Sequence, residues 1–209
     1  MKSRYCFLAL VLWLSSPVEL AHGQVLTPAF ANDYHVVVVG SVTNLPLPYG
    51  GLVFKAGDPS SLLIGGAAGL AGGKLYAVPV QRDGSNHVTG FRGAATAWTS
   101  APYNAGGLAY ASNGVLLVAR TDGSMGEIKP GSSGFDKVIN LRSLGVTNTF
   151  GGLNVVPAGF PGAGQLSLLG NSNAQFYTAT VRLESGTFNV TGLGGATQLG
   201  YIDWLGHYF

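Results

Sequence analysis

Cysteine is almost missing from this chain: among 209 residues there is one, Cys6, inside an apolar stretch near the N-terminus. Everything beyond that stretch is therefore without disulfides, thiolate metal sites or a cysteine nucleophile, and its fold must rest on packing alone. Charge is scarce too. Charged residues make up 10% of the chain, against roughly a quarter in ordinary soluble domains. The 11 basic and 9 acidic residues leave a formal charge of +2. With no Lys/Arg cluster there is no electrostatic footprint for nucleic acid, and with 46% hydrophobic residues there is no case for charge-driven disorder. Long hydrophobic runs are also lacking: the apolar run Tyr5 to Leu14 is half the roughly 20 residues that a membrane-spanning helix needs. What is abundant is glycine, 33 residues, joined by 10 prolines. Both disfavour helix interiors, which argues against a helical bundle.

The short apolar run has a different reading. Lys2 and Arg4 precede it, Ser15, Ser16 and Pro17 end it, and Ala21-His22-Gly23 places small residues where a signal peptidase inspects the chain. That order is a secretory signal, with cleavage expected before Gln24. Cys6 then leaves with the signal, no stable membrane anchor remains, and the product is expected to be secreted, extracellular or periplasmic.

The remainder is organised by an internal repeat. Gly-Gly-Leu occurs in Tyr49-Gly50-Gly51-Leu52-Val53-Phe54, in Ala105-Gly106-Gly107-Leu108-Ala109-Tyr110 and in Phe150-Gly151-Gly152-Leu153-Asn154-Val155. In the middle copy Gly107 to Ser112 reads as a strand, and Asn113-Gly114 as a type I′ hairpin turn. Val115 to Arg120 is a buried strand, Asp122-Gly123 turns the chain into Met125 to Lys129, and Pro130 to Gly134 turns it into Phe135 to Leu141. The first copy runs Gly51 to Lys55, Leu62 to Ile64, Lys74 to Gln81 and His87 to Phe91. The third runs Leu153 to Val156, Gln165 to Leu169, Phe176 to Leu183 and Thr187 to Val190. Four-strand units recurring at about 45 residues are the signature of propeller blades.

The stretch GGLAYASNGVLLVARTDGSMGEIKPG resembles one blade of the six-bladed propellers of the NHL and gluconolactonase (SMP-30) type. Val155 to Leu166, VVPAGFPGAGQL, is similar to secreted bacterial propeller-like proteins that often carry a PEP-CTERM sorting tail, a tail expected to be missing here. The expected fold is all-β, a β-propeller-like array of four-stranded antiparallel blades. About three full blades (48–98, 104–147, 149–194) are flanked by a strand at His35 to Val42 and a partial fourth unit at 195–209 that includes Leu199 to Leu205. That is an open or incomplete ring, whose bare blade faces and strand edges are pairing surfaces for self-association. Leu52, Leu108 and Leu153 are expected at equivalent buried places on the first strand of each blade, with the paired glycines allowing close backbone approach.

Several chemistries are excluded by their motifs. Val36-Val37-Val38-Val39-Gly40 lacks the glycine pattern and the helix of a dinucleotide-binding unit and is expected to be a buried strand. Gly65 to Lys74 misses the phosphate-loop pattern at Ala68 and Leu75. There is no Gly-x-Ser-x-Gly elbow. Asp122 to Glu127 lacks the ligand spacing of a calcium loop and reads as a hairpin turn. Beyond the signal, His35, His87 and His207 have no ligand spacing. The acids Asp58, Asp83, Asp122 and Glu184 lie beside Gly, Pro or Ser, where carboxylates favour turns. The gluconolactonase resemblance implies a central divalent metal held by an acid before the first blade's glycine. The matching positions read Pro48-Tyr49-Gly50, Asn104-Ala105-Gly106 and Thr149-Phe150-Gly151, with Asn104 and the nearby Asn154 the only amide donors and no carboxylate. No metal and no cofactor are expected.

The expected function is a secreted, non-catalytic module that binds a sugar or peptide through blade loops, where propellers keep their function. The residues put forward are Tyr49, Trp98, Tyr103, Asn104, Phe150 and Asn154. The alternatives are a metal-assisted lactonase of the gluconolactonase kind and a truncated remnant with no independent role.

Overall fold

The computed structural model describes residues 26–29, 31–32, 34–146, 150–170, 175–194 and 197–198. The chain divides into two compact units, Met1–Val38 and Val39–Phe209. In the first, the described residues form turns and irregular backbone, with the Ala31 N–H donating to the Thr27 carbonyl (3.2 Å). The signal segment and its cleavage point at Gln24 lie outside the described residues, as does the expected fragment Leu199 to Leu205.

The second unit is all-β, an open propeller-like array of three antiparallel sheets. The first sheet runs β1 (Leu52–Lys55), β2 (Asp58–Gly66), β3 (Lys74–Arg82) and β4 (Val88–Phe91), with β5 (Thr96–Ser100) also paired to β3. The second runs β6 (Asn104–Tyr110), β7 (Leu116–Arg120), β8 (Ser124–Ile128) and β9 (Lys137–Asn140). The third runs β10 (Phe150–Val155), β11 (Leu166–Gly170), β12 (Gln175–Glu184) and β13 (Thr187–Leu193), with β14 (Thr197–Gln198) paired to the start of β12. Thr197–Gln198, in the stretch expected to open a fourth unit, thus extends the third sheet. Among the described residues the only helical element is a 3-10 turn at Arg142–Leu144.

The leading strands β1, β6 and β10 lie against one another in succession, and the paired glycines explain how closely. The Gly51 N–H donates to the Ala105 carbonyl (2.8 Å), and a Cβ on Gly51 would run into the Gly106 carbonyl. A Cβ on Gly107 would lie 2.7 Å from the backbone nitrogen of Leu153, a distance no side chain tolerates.

Apolar layers fill the spaces between sheets. Leu63, Leu75, Leu108, Leu116, Val118 and Ile128 join the first sheet to the second. Leu117, Ala119, Met125, Leu153, Leu166, Leu168, Tyr177 and Ala179 join the second to the third. A third layer covers the outward side of the first sheet, where Val42, Leu45 and Ala95 pack on Leu62, Ile64, Val78 and Val80. Each fully buried leucine or isoleucine in these layers contributes about 1.5–3 kcal/mol.

Several expectations change. Val36-Val37-Val38-Val39-Gly40 and the wider stretch His35 to Val42 form no strand, and Val38 is 75% exposed. A β-rich composition without a neighbouring strand has no ladder to complete. Asn113-Gly114 is not a type I′ turn, which needs positive φ at both central residues. Of the two only Gly114 (φ 80°) is left-handed, and the hairpin is a three-residue loop closed by Gly114 N–H to the Ala111 carbonyl (2.9 Å). The type I′ geometry falls instead at Ser185 (φ 51°) and Gly186 (φ 78°), between Glu184 and Thr187. Leu108 and Leu153 are buried as expected, but Leu52 is 62% exposed, because among the described residues no sheet precedes the first to cover it. Strand β5 carried no expectation; it occupies the place beside β3 that β4 leaves free, since β4 pairs only with the far half of β3.

Candidate functional site

Four of the six sequence candidates gather where the first and second sheets meet. Asn104, at the start of β6, is fully buried. Its Nδ2 donates to the Ala101 carbonyl (2.9 Å), while Oδ1 has no hydrogen-bond partner. That oxygen faces Gly50 and Gly65, and a Cβ at either position would collide with it. A Cβ on Gly73 would lie 2.7 Å from Nδ2. Three glycines of the first sheet and its turns thus form a cage for one amide of the second, with Cα–H groups as the weak partners of its oxygen. The cage leaves the amide no ligand to hold and makes it a key between sheets.

Tyr103 precedes it with φ 60°, a left-handed backbone that is uncommon for a bulky residue. The Leu70 carbonyl, which accepts from Tyr103 N–H (2.9 Å), and Thr121 N–H, which donates to the Tyr103 carbonyl (2.9 Å), hold it there. Its ring faces the guanidinium of buried Arg120 at 5.7 Å, and Phe135 faces the same group at 5.3 Å. Arg120 also pairs with Asp122 (3.0 Å) and donates from Nε to the Pro102 carbonyl (3.3 Å). These contacts tie the cation to the loop before β6 and to its own β7–β8 hairpin. Trp98 is half-buried, packed with Phe135 against the layer between the first two sheets. Tyr49 is exposed and immediately precedes Gly50. The other two candidates lie on β10: Phe150 opens it, and exposed Asn154 accepts from the N–H of its own neighbour Val155 (2.9 Å). Asn104 and Asn154 do not converge. Among the described residues no group of three or more His, Cys, Asp or Glu could hold a metal ion.

The concave surface lies at the opposite end of the leading strands. There the turn Ala56-Gly57, the loop Ser112 to Gly114 and the loop Val156 to Gln165 each connect the first strand of a sheet to its second. The Ala56 N–H donates to the Tyr110 hydroxyl (3.2 Å), and Asn113 Nδ2 donates to the Gly186 carbonyl (3.4 Å), which ties this end together across all three sheets. The Val156–Gln165 loop is the long one. Left-handed Gly159, Gly162 and Gly164 fold it back on itself, and it is pinned at its base by Val156 N–H donating to the Gln165 carbonyl and Gly164 N–H donating to the Val156 carbonyl (both 2.9 Å). It stands between two cavities. One, of about 520 Å³, opens between the second and third sheets and is lined by Tyr110, Ser112, Leu117, Val155, Ala163 and Phe188 among others. The other, of about 580 Å³, lies on the outward side of the third sheet over Asn154, Ser167, Leu169 and Phe176, with Phe160 at its rim. Of the six candidates only Asn154 touches either. The clue to this end in the sequence is the ten-residue loop itself, rich in Pro and Gly, where only five residues separate the matching strands of the second sheet.

Glu127 is the one fully buried carboxylate among the described residues. It reaches from β8 to the third sheet, where Oε2 accepts from Phe188 N–H (2.7 Å), and Oε1 has no partner. Burial pushes its pKa above the usual carboxylate range, against the pull of the Phe188 N–H and the charge of Lys137. Burial likewise raises Tyr110. Asp83 is held low, chiefly by the backbone N–H of His87, and Asp58 chiefly by the Ser60 hydroxyl. Asp58, Asp83 and Asp122 each accept from the backbone N–H two residues on, so their roles are those of turns. Comparison with protein-family models, curated protein sequences and solved structures finds no match to this chain.

Proposed function

We propose that this chain is a secreted, non-catalytic propeller-like binding module, exported with release of the first 23 residues, that takes a peptide partner at the loop end between its second and third sheets. The single observation that carries this reading is the cleft of about 520 Å³ between the Ser112–Gly114 and Val156–Gln165 loops. It has the size and apolar character of ligand pockets, with polar groups few and at the margin. The resemblance to NHL and gluconolactonase-type propellers supports the same end, since such folds keep function in loops. Between the two ligand classes expected, the lining favours peptide. Apart from Tyr110 and Ser112 its side chains are apolar or glycine, which suits an inserted leucine or phenylalanine and leaves sugar hydroxyls unpaired.

Binding of 1-anilinonaphthalene-8-sulfonate, read by fluorescence, tests the cleft. One saturable site is expected, displaced by N-acetyl-phenylalanine amide and not by glucose. Ala163→Trp, at an exposed loop residue that lines the cleft, is expected to weaken the dye at least tenfold, and Tyr103→Ala to leave it unchanged. Binding indifferent to Ala163→Trp would overturn the assignment.

A further inference from the structure

We infer that two copies of this chain associate head to tail, the third sheet of each packing on the first sheet of the other, to close one ring of six sheets. The joint between successive sheets is built twice within the chain by one device. A leading-strand glycine lets the next strand approach, Gly51 against Gly106 and Gly107 against Leu153, while the leucine after the paired glycines turns back onto the preceding sheet, as Leu108 and Leu153 do.

Among the described residues each half of this joint stands bare at the two ends of the array. Leu52, the counterpart of Leu108 and Leu153, is 62% exposed, and Phe54 on the same side of β1 is 42% exposed. At the other end Gly152 is the counterpart of Gly107. Among the described residues a Cβ there would meet only the Leu169 Cβ of its own sheet, at 3.6 Å. Beside it lies the outward cavity of about 580 Å³, whose lining carries no charge. Val42 and Leu45 already cover the outward side of β2 and β3, so the bare part of the first sheet is its leading strand, the element that makes the closest approach inside the chain. Arg82, stacked on Phe54 at 4.8 Å, sets a charge at its edge.

The occupant follows from continuity with the joints already made. What fits the bare third sheet is a leading strand bearing an outward leucine after paired glycines, and each copy carries one at its other end. Two different surfaces that complement each other make a heterologous contact, which must close into a ring or grow into a filament. Propellers close with about four to eight blades; with three sheets per copy, two copies fall in that range and three do not. A net charge of +2 offers little repulsion between copies.

The test is the mass of the exported chain in solution by sedimentation and light scattering. Twice the chain mass, unchanged on concentration, is expected. Leu52→Asp and Asn154→Arg alter one exposed residue at each end, so both are expected to keep the wild-type far-ultraviolet circular dichroism. Each alone is expected to halve the mass, and an equimolar mixture of the two to restore it, because one complementary joint survives and the other now sets Asp against Arg. A monomeric wild type, a mass that climbs with concentration, or a dimer that survives either single substitution would overturn the proposal. Dye binding at the loop-end cleft is read separately, so either result stands without the other.

Discussion

The second and third sheets share one strand order, yet the same kinds of residue meet different surroundings in them. In β7 and β8 every residue is buried, because the first sheet lies on one side and the third on the other. In β11 burial alternates: Leu166 and Leu168 face the second sheet, while Ser167 and Leu169 face outward and are only half-buried. A strand with two neighbours loses its two-residue alternation, and a strand with one keeps it. The stabilisation from a leucine in this fold is therefore set by how many sheets flank it.

That contrast can be broken most directly by truncation. Leu117→Ala, in the middle of the array, is expected to cost about 2–5 kcal/mol in urea unfolding, as buried leucines do. Leu169→Ala, on the outward side of the third sheet, is expected to cost under about 1.5 kcal/mol in the monomer, in a Leu52→Asp background, because there part of its surface is already in water. Equal losses would show that the third sheet is covered as fully as the second.

A smaller effect sharpens the comparison at the backbone. Gly107→Ala places a methyl group against the Leu153 nitrogen and is expected to destabilise by about 1–3 kcal/mol, the usual cost of overpacking. Gly152→Ala, at the matching position of the third sheet, is expected to change thermal stability by no more than about 0.5 kcal/mol in the monomer. The pair fails if the two substitutions behave alike.

The smallest effect concerns the carboxylate that links these sheets. Because the folded pKa of Glu127 lies above its unfolded value, its contribution is fully present below the unfolded pKa and fades as pH rises through the folded one. Glu127→Gln keeps an acceptor for the Phe188 N–H and cannot ionise. Melting temperatures measured from acid to neutral pH are expected to fall more steeply for the wild type than for the variant. Parallel profiles would show that Glu127 is solvated in the folded state.

Much of the local structure was legible because turns and strands are written in short spacings. Asp122-Gly123 leads from β7 to β8 as expected, Asp83 accepts from Ser85 and His87, and the Gly-Gly-Leu copies do open the three sheets. The misses share one cause. Four adjacent valines read as a buried strand, but no partner strand meets them. Asn104 read as a loop amide open to a ligand, but Gly50, Gly65 and Gly73 of the first sheet and its turns enclose it. The cleft at the loop end belongs to neither sheet alone, so the long Val156–Gln165 loop announced only one of its walls.

By itself the sequence determined the class of fold, the repeat and the positions of most strands, since glycine, proline and alternation act within a few residues. Tertiary structure alone decided which sides of those strands are covered: that Leu108 is buried and Leu52 bare, that Asn104 is a key between sheets, and that Glu127 loses its water. The physical reason is that burial belongs to a pair of surfaces. A residue's own chemistry states what it would gain by leaving water, and only the neighbour that arrives, here from another repeat, decides whether it does.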